Sequence, residues 1–335
     1  MNKLTKIGVS ALCGSLATVA SAQAGEMTVA GSASATYMSL TDEVTGNPLG
    51  MATGMTFTGT GELDNGSAVT LTIANTHKNA YTGSSITVAT PSYGTFKYDE
   101  KGGTGLDRID DMMPTAWEEV DGTGIGMGLQ TVTGVGGGSD IEWTLPAEWS
   151  MGSTIHLSYS FHPDGTYNSK KGSSGTNGTS GRNDGGGYDI VVSNNTAVEG
   201  LNMFAGYSEV SQSMDAAGHA LDKTQFATGF TYAVGGFTFG AQMSQSDDAV
   251  SYENQAYGVS FAVNDNLSLS YARHDSEQDA NHAHSVELEG KSLQASYTMG
   301  GASLVVAETE VDNKEYATAA ANQREGRSIA LTLAF

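Results

Sequence analysis

Residues 326–335 read GRSIALTLAF, and this stretch decides the fold. Ile329, Leu331, Leu333 and Phe335 fall on one side, Ser328, Ala330, Thr332 and Ala334 on the other. Strand side chains alternate between faces, so the segment is a strand with one apolar and one small or polar face. Chain ends tend to fray, which makes a hydrophobic last strand unusual in a water-soluble domain. A closed barrel in a bilayer requires one, because its last strand must pair with its first.

The same alternation recurs through the chain. Ile155, Leu157, Tyr159 and Phe161 alternate with Thr154, His156, Ser158 and Ser160. Phe226, Phe230, Tyr232 and Val234 face away from Ala227, Gly229, Thr231 and Ala233, and the pattern resumes after Gly235-Gly236 with Phe237, Phe239 and Met243. Tight turns are expected where residues tolerate positive φ: 64–66, 92–94, 235–236, 264–266 and 300–301. Longer polar segments separate the hairpins at 40–50, 77–82, 100–139, 163–185, 212–221, 247–250, 276–285 and 312–325. The expected strands are 27–39, 51–63, 66–76, 83–89, 93–99, 140–145, 152–162, 186–194, 200–211, 222–234, 236–246, 251–263, 267–275, 287–299, 301–311 and 326–335, sixteen in all. An even count puts both chain termini on the same side and lets the last strand close on the first.

A water-soluble sandwich of two sheets would alternate in the same way. The leader, the short-turn and long-loop alternation, and the terminal strand together favour a barrel with two unlike ends. A calcium-binding solenoid needs a nine-residue Gly-Gly-x-Gly-x-Asp repeat, and GGGSD at 136–140 occurs once. Lys3 and Lys6, the apolar run 7–19 and Ala22-Gln23-Ala24 read as a secretory signal peptide spanning 1–24, leaving a barrel domain 25–335. Cys13 follows Leu12 rather than a small residue, so a lipoprotein signal is rejected, and nothing after the leader carries a cysteine. Thiol catalysis and thiolate metal sites are thereby excluded. With 37 acidic against 15 basic residues, a polyanion would be repelled and nucleic-acid binding is disfavoured. Forty-four glycines with only 5 prolines suit many strands and turns.

The terminal strand, SSITVATPSYGTFKYDE at 84–100, RIDDMMPTAWEEVDG at 108–122 and IEWTLPAEWSMGSTIHLSYSF at 141–161 together resemble a Gram-negative outer-membrane porin. The chain is most similar to the sixteen-stranded trimeric general porins of alphaproteobacterial type. That resemblance implies an all-β, antiparallel transmembrane barrel with short periplasmic turns, long outer loops and a third loop folded inward. It implies residence in the outer membrane, outer-membrane lipid around the barrel, and a homotrimer. It also implies that Ile329, Leu331, Leu333 and Phe335 are read by the barrel assembly machinery. The Pro-Glu-Phe-Gly-Gly element of some third loops is absent, so the loop's detailed course is not carried over.

The chemistry should then lie in the lumen. Segment 100–139, the longest loop, carries Asp107, Asp110, Asp111, Glu118, Glu119 and Asp121, offset by Lys101 and Arg108. Carboxylates at a constriction favour cations. Phe96 and Tyr98 suit the outer face, so Lys97 should point inward across from the loop, with Lys78 a weaker candidate. The oxygen donors at 107–121 are of the kind calcium uses, without the spacing of an EF-hand, so Ca2+ is the one cofactor the loop suggests. No other metal is expected: His282 and His284, with His274 and Asp279, could offer a transition-metal site, but two histidines in an exposed loop read as solvated, and no catalytic site emerges. GTGIGMG at 122–128 lacks the Lys-Ser/Thr and the βαβ context of a phosphate loop. The expected function is a water-filled channel for passive diffusion of small hydrophilic solutes and ions, cation-preferring; the alternative is a solute-specific channel of the same fold.

Overall fold

The computed structural model describes residues 25–41, 46–77, 82–100, 102–136, 139–161, 186–211, 222–247, 250–279 and 285–335. The leader 1–24, Lys78, Lys101 and the His282/His284 pair lie outside the described residues. The first eight strands are β1 (Met27–Leu40), β2 (Leu49–Glu62), β3 (Ala68–Thr76), β4 (Gly83–Thr90), β5 (Gly94–Asp99), β6 (Asp140–Thr144), β7 (Thr154–Ser160) and β8 (Gly187–Asn194). They are followed by β9 (Leu201–Val210), β10 (Lys223–Val234), β11 (Phe237–Asp247), β12 (Ser251–Ala262), β13 (Leu267–Asp279), β14 (Ser285–Met299), β15 (Ala302–Asp312) and β16 (Arg324–Ala334). Each pairs antiparallel with its sequence neighbours, and β16 closes on β1.

The closing register pairs Ala33 with Leu333, Ala35 with Leu331 and Tyr37 with Ile329. Phe335 extends it by one residue: Gly31 N donates to the Phe335 carbonyl at 2.7 Å and Phe335 N to the Gly31 carbonyl at 3.0 Å. The Phe335 ring fills the space beside Gly31, 2.6 Å from where a Cβ would stand. The apolar end of the chain is therefore fixed rather than frayed.

Strand ends fall within two residues of the sequence expectation except at β13, and two strands, β13 and β7, differ from it by four residues in length. β13 runs to Asp279 instead of 275, because Asp275, Glu277 and Asp279 keep their ladder bonds to Gln255, Glu253 and Ser251 although their side chains are charged. Backbone pairing does not stop where the apolar row stops. β7 is shorter than expected because residues 145–153 form a compact turn, with Trp149 N bonded to Pro146 O and Met151 at φ 52°. That turn and 195–200 are longer than the tight turns at 235–236 and 300–301.

The outward face is apolar and the inward face polar. Tyr207, Phe226, Phe230, Phe239, Tyr257, Tyr271 and Leu293 are exposed on the outside, while Ser208, Gln225, Gln242, Ser270 and Gln294 are buried on the inside. A water-soluble sandwich would show the reverse, with apolar rows buried against each other. The apolar cores of this chain lie within the lumen, where the loop between β5 and β6 packs on the wall. Leu106, Ile109 and Val132 contact Val191, Phe204 and Ala227, and Val120, Ile125 and Met127 contact Ala272, Leu288, Val311 and Tyr316.

Candidate functional site

The loop enters and leaves the lumen through paired carboxylates. At its start Gly102 N donates to Asp99 Oδ2 at 2.8 Å, and Thr104 Oγ1 donates to Asp140 Oδ1 at 2.7 Å. Asp189 on β8 then holds both limbs: its Oδ2 accepts from Leu106 N at 2.7 Å and from Val135 N at 3.0 Å. Glu142 on β6 accepts from Gly105 N at 3.0 Å and from Ser158 Oγ at 3.3 Å, and pairs with the Arg108 guanidinium. His156 Nδ1 stands 3.4 Å from the same carboxylate and 2.9 Å from Thr144 Oγ1. Wall carboxylates suit loop N–H groups because an ionised acceptor makes the stronger hydrogen bond.

Further along, amide side chains take over. Gln225 Oε1 accepts from Gly134 N at 2.7 Å, and Asn254 Nδ2 donates to Gln130 O at 3.1 Å. Gln242 and Gln294 grip the acidic stretch from β11 and β14, and Ser270 Oγ accepts from Ala116 N at 2.8 Å. These contacts lay the loop over the inner wall from β6 to β16, so inward residues there are buried.

The acids line the loop's free edge. Asp111, Glu118 and Asp121 are exposed, and Asp107, Asp110 and Glu119 are half-buried behind them. Burial, then repulsion from Asp111 and Asp107, pushes Asp110 well above the usual carboxylate range. Burial is also the main cause pushing Glu119 up to about 8, against the opposing Met113 N–H that it accepts at 2.8 Å. Glu118 and Asp107 are raised too, first by burial and then by acidic neighbours. Asp107 Oδ2 is held by Gly103 N at 2.6 Å.

Beyond β1, whose Met38 and Leu40 pack on the loop, the inward rows of β2–β4 are uncharged over most of their length. Thr58, Thr72 and Ser85 stand side by side in register, as do Thr60, Thr70 and Thr87. These rows continue onto β5 at Asp99 and Lys97. Thr58, Thr70, Thr72 and Thr87 are half-exposed and Thr60 is exposed, unlike Ser85 and the buried inward residues of β8–β15. The open space of the barrel therefore lies between the acidic edge and a hydroxyl-rich wall.

Of the residues singled out in the sequence, Asp107, Asp110, Asp111, Glu118, Glu119 and Asp121 share one edge, and Lys97 lies on the inward face of β5. Lys97 Nζ sits 2.9 Å from Asp99 Oδ1, so its charge is met locally. Arg108 turns to the wall at Glu142, away from the acids it was expected to offset. Ile329 is half-buried, and Leu331, Leu333 and Phe335 are exposed on the outer face of the closing strand. Asp99, Asp140, Glu142, Asp189 and the three glutamines were not singled out. Their signal is a charged or amide side chain in the inward phase of a strand, such as Asp189 between Tyr188 and Ile190.

A sequence profile described as Gram-negative porin matches residues 8–332. No curated protein sequence matches. Among solved structures, the chain is similar to OmpF of Salmonella typhi in complex with daunomycin, at 12% identity and TM-score 0.70, covering 93% of this chain and 98% of that one. It is similar to OmpT of Vibrio cholerae at 14% identity and TM-score 0.66, with the same coverage of 93% and 98%. An anion-selective porin from Comamonas acidovorans aligns at 14% identity and TM-score 0.64, over 93% of this chain and 100% of that chain. At these identities the structures speak for the fold alone.

Proposed function

The chain belongs to the Gram-negative porin family, an outer-membrane channel fold, and from that premise we propose a cation-preferring pore for passive diffusion of small hydrophilic solutes. One observation carries the preference: among the described residues, the acidic edge of the loop faces strands β2–β4, which carry no lysine or arginine, and the cations nearest that wall and edge are paired. Lys97 is paired with Asp99, and Arg108 with Glu142. A low-dielectric barrel focuses the field of Asp111, Glu118 and Asp121 across the narrow part of the lumen.

The outward apolar rows are read as the lipid-facing surface, with Tyr37, Tyr207, Tyr232, Tyr257, Tyr271 and Tyr297 exposed among them as interface anchors. Phe335 and its apolar row are read as the element the assembly machinery recognises. Residues 1–24 are read as the leader that exports the chain, and three copies as the assembled channel. Ca2+ is the metal proposed for the acids at 107–121, on the ground only that carboxylate oxygens are the donors it uses.

A solute-specific channel is the second reading, favoured by the side-by-side hydroxyls of β2–β4, which resemble a row of sugar-like hydrogen-bonding groups. Single-channel recording of the refolded protein separates the two. Conductance proportional to salt, with no solute able to block it, supports general diffusion. Conductance that saturates or is blocked by one solute class supports the alternative.

A further inference from the structure

We infer that Gln242 and Gln294 are the positioning residues of the constriction: they fix where its carboxylates project without lying among them. The inference rests on the reading of the acidic edge as the selective element.

The stretch 110–118 contains Asp110, Asp111 and Glu118 and has no regular secondary structure. Its peptide groups therefore cannot satisfy one another as those of a helix or strand do. Two wall amides serve instead. Gln242 Nε2 donates to Ile109 O at 2.9 Å and to Asp110 O at 2.7 Å, while its Oε1 accepts from Met112 N at 3.4 Å. Gln294 Oε1 accepts from Trp117 N at 3.0 Å and Glu118 N at 3.3 Å. Gln294 Nε2 donates to Glu118 O at 2.6 Å and to Ser292 Oγ at 3.1 Å. The acidic stretch is thus gripped at both ends, with Ser270 holding Ala116 N between them.

Residue type matters here. An amide carries a donor and an acceptor side by side, as a peptide group does, so each glutamine stands in for a missing neighbouring strand. A carboxylate at the same place could accept but not donate, and would add a negative charge below an already crowded acidic edge. The loop's neck uses carboxylates, at Glu142 and Asp189, where only donors have to be met. Gln242 and Gln294 are almost fully buried, so a permeating ion does not reach them. Their influence on selectivity runs through the backbone they hold.

The test compares Gln242→Leu, Gln294→Leu and Gln294→Glu with the unaltered protein in planar bilayers. The readouts are the cation-to-anion permeability ratio, the open-channel current noise and the heat stability of the barrel. A merely structural role would move the third and not the first two. Each leucine variant is expected to keep its barrel, to lower the permeability ratio by about twofold or more, and to raise the noise, because the acids no longer keep one position. Gln294→Glu should raise the noise as well, since the donor to Glu118 O is lost. If the unaltered protein shows no cation preference, the functional reading fails by itself, and the clamps stand or fall on the noise. Folded variants with unchanged ratio and noise would overturn the inference. So would loss of the barrel in both leucine variants, which would make the amides folding elements.

Discussion

The carboxylate of Asp189 occupies the space that a side chain on Gly134 would need: Oδ2 lies 2.1 Å from the Cβ position. The other limb is the same, with Asp189 Oδ2 2.2 Å from the Cβ position of Gly105. Both glycines have positive φ, 57° and 52°, where an L side chain is strained in any case. One wall carboxylate thus closes the neck of the loop between β5 and β6, and two glycines admit it.

Removing that clasp should loosen the loop while leaving the barrel closed. Asp189→Ala orphans the N–H groups of Leu106 and Val135, at about 1–3 kcal/mol for each buried donor left unmet. Gly134→Ala adds backbone strain of about 1–2 kcal/mol and drives the carboxylate off its partners. Both variants are expected to unfold at lower denaturant and to conduct with larger, noisier currents. Single-channel recording beside a denaturant titration checks both halves.

Neutralising the free edge should weaken selectivity without harming the fold. The triple change Asp111→Asn, Glu118→Gln, Asp121→Asn removes three exposed charges, and none of these side chains holds a backbone group of the loop. The cation-to-anion ratio is expected to fall by about threefold or more, an effect largest at low salt because the Debye length is about 10 Å at 0.1 M. Reversal potentials measured at low and high KCl give the comparison.

Selectivity should rise with pH. Asp110 and Glu119 have raised pKa values, with Glu119 at about 8, so both retain protons where ordinary carboxylates have lost them. As pH climbs through about 8 they ionise, and the constriction gains negative charge. Cation preference is therefore expected to be stronger at pH 9 than at pH 6. Glu119→Gln should flatten part of that rise. A preference that falls over this interval would contradict the assignment.

Truncating the closing strand should act on assembly, not on permeation. Deleting Phe335 removes its two hydrogen bonds with Gly31 and empties the space beside that glycine. The amount of folded barrel in the outer membrane is expected to drop several-fold, while the ion selectivity of the channels that do form stays unchanged. Heat-modifiability on gels and bilayer recording read the two quantities separately.

Most of the barrel was legible because its signal is local. A period of two along each strand, with Gly or Asn at the turns, is written in consecutive residues such as Phe237, Phe239 and Met243 against Gly240 and Gln242. The extension of β13 was not, because Glu277 and Asp279 look like a loop and their pairing with Glu253 and Ser251 is a long-range fact. The acids of the constriction were visible as a charge run. What holds them was hidden, since Gln294 and Trp117 are far apart in sequence and meet only once the loop lies on the wall. Arg108 shows the same limit: beside Asp107, Asp110 and Asp111 in sequence it looks like their counterion, yet the partner that folding supplies is Glu142.

One reversal potential decides whether acids dominate a pore whose facing wall is neutral. The refolded protein in a planar bilayer, under a KCl gradient at low ionic strength and neutral pH, should show a potential of the sign set by K+ permeation. A potential of the opposite sign, set by Cl−, would contradict the account.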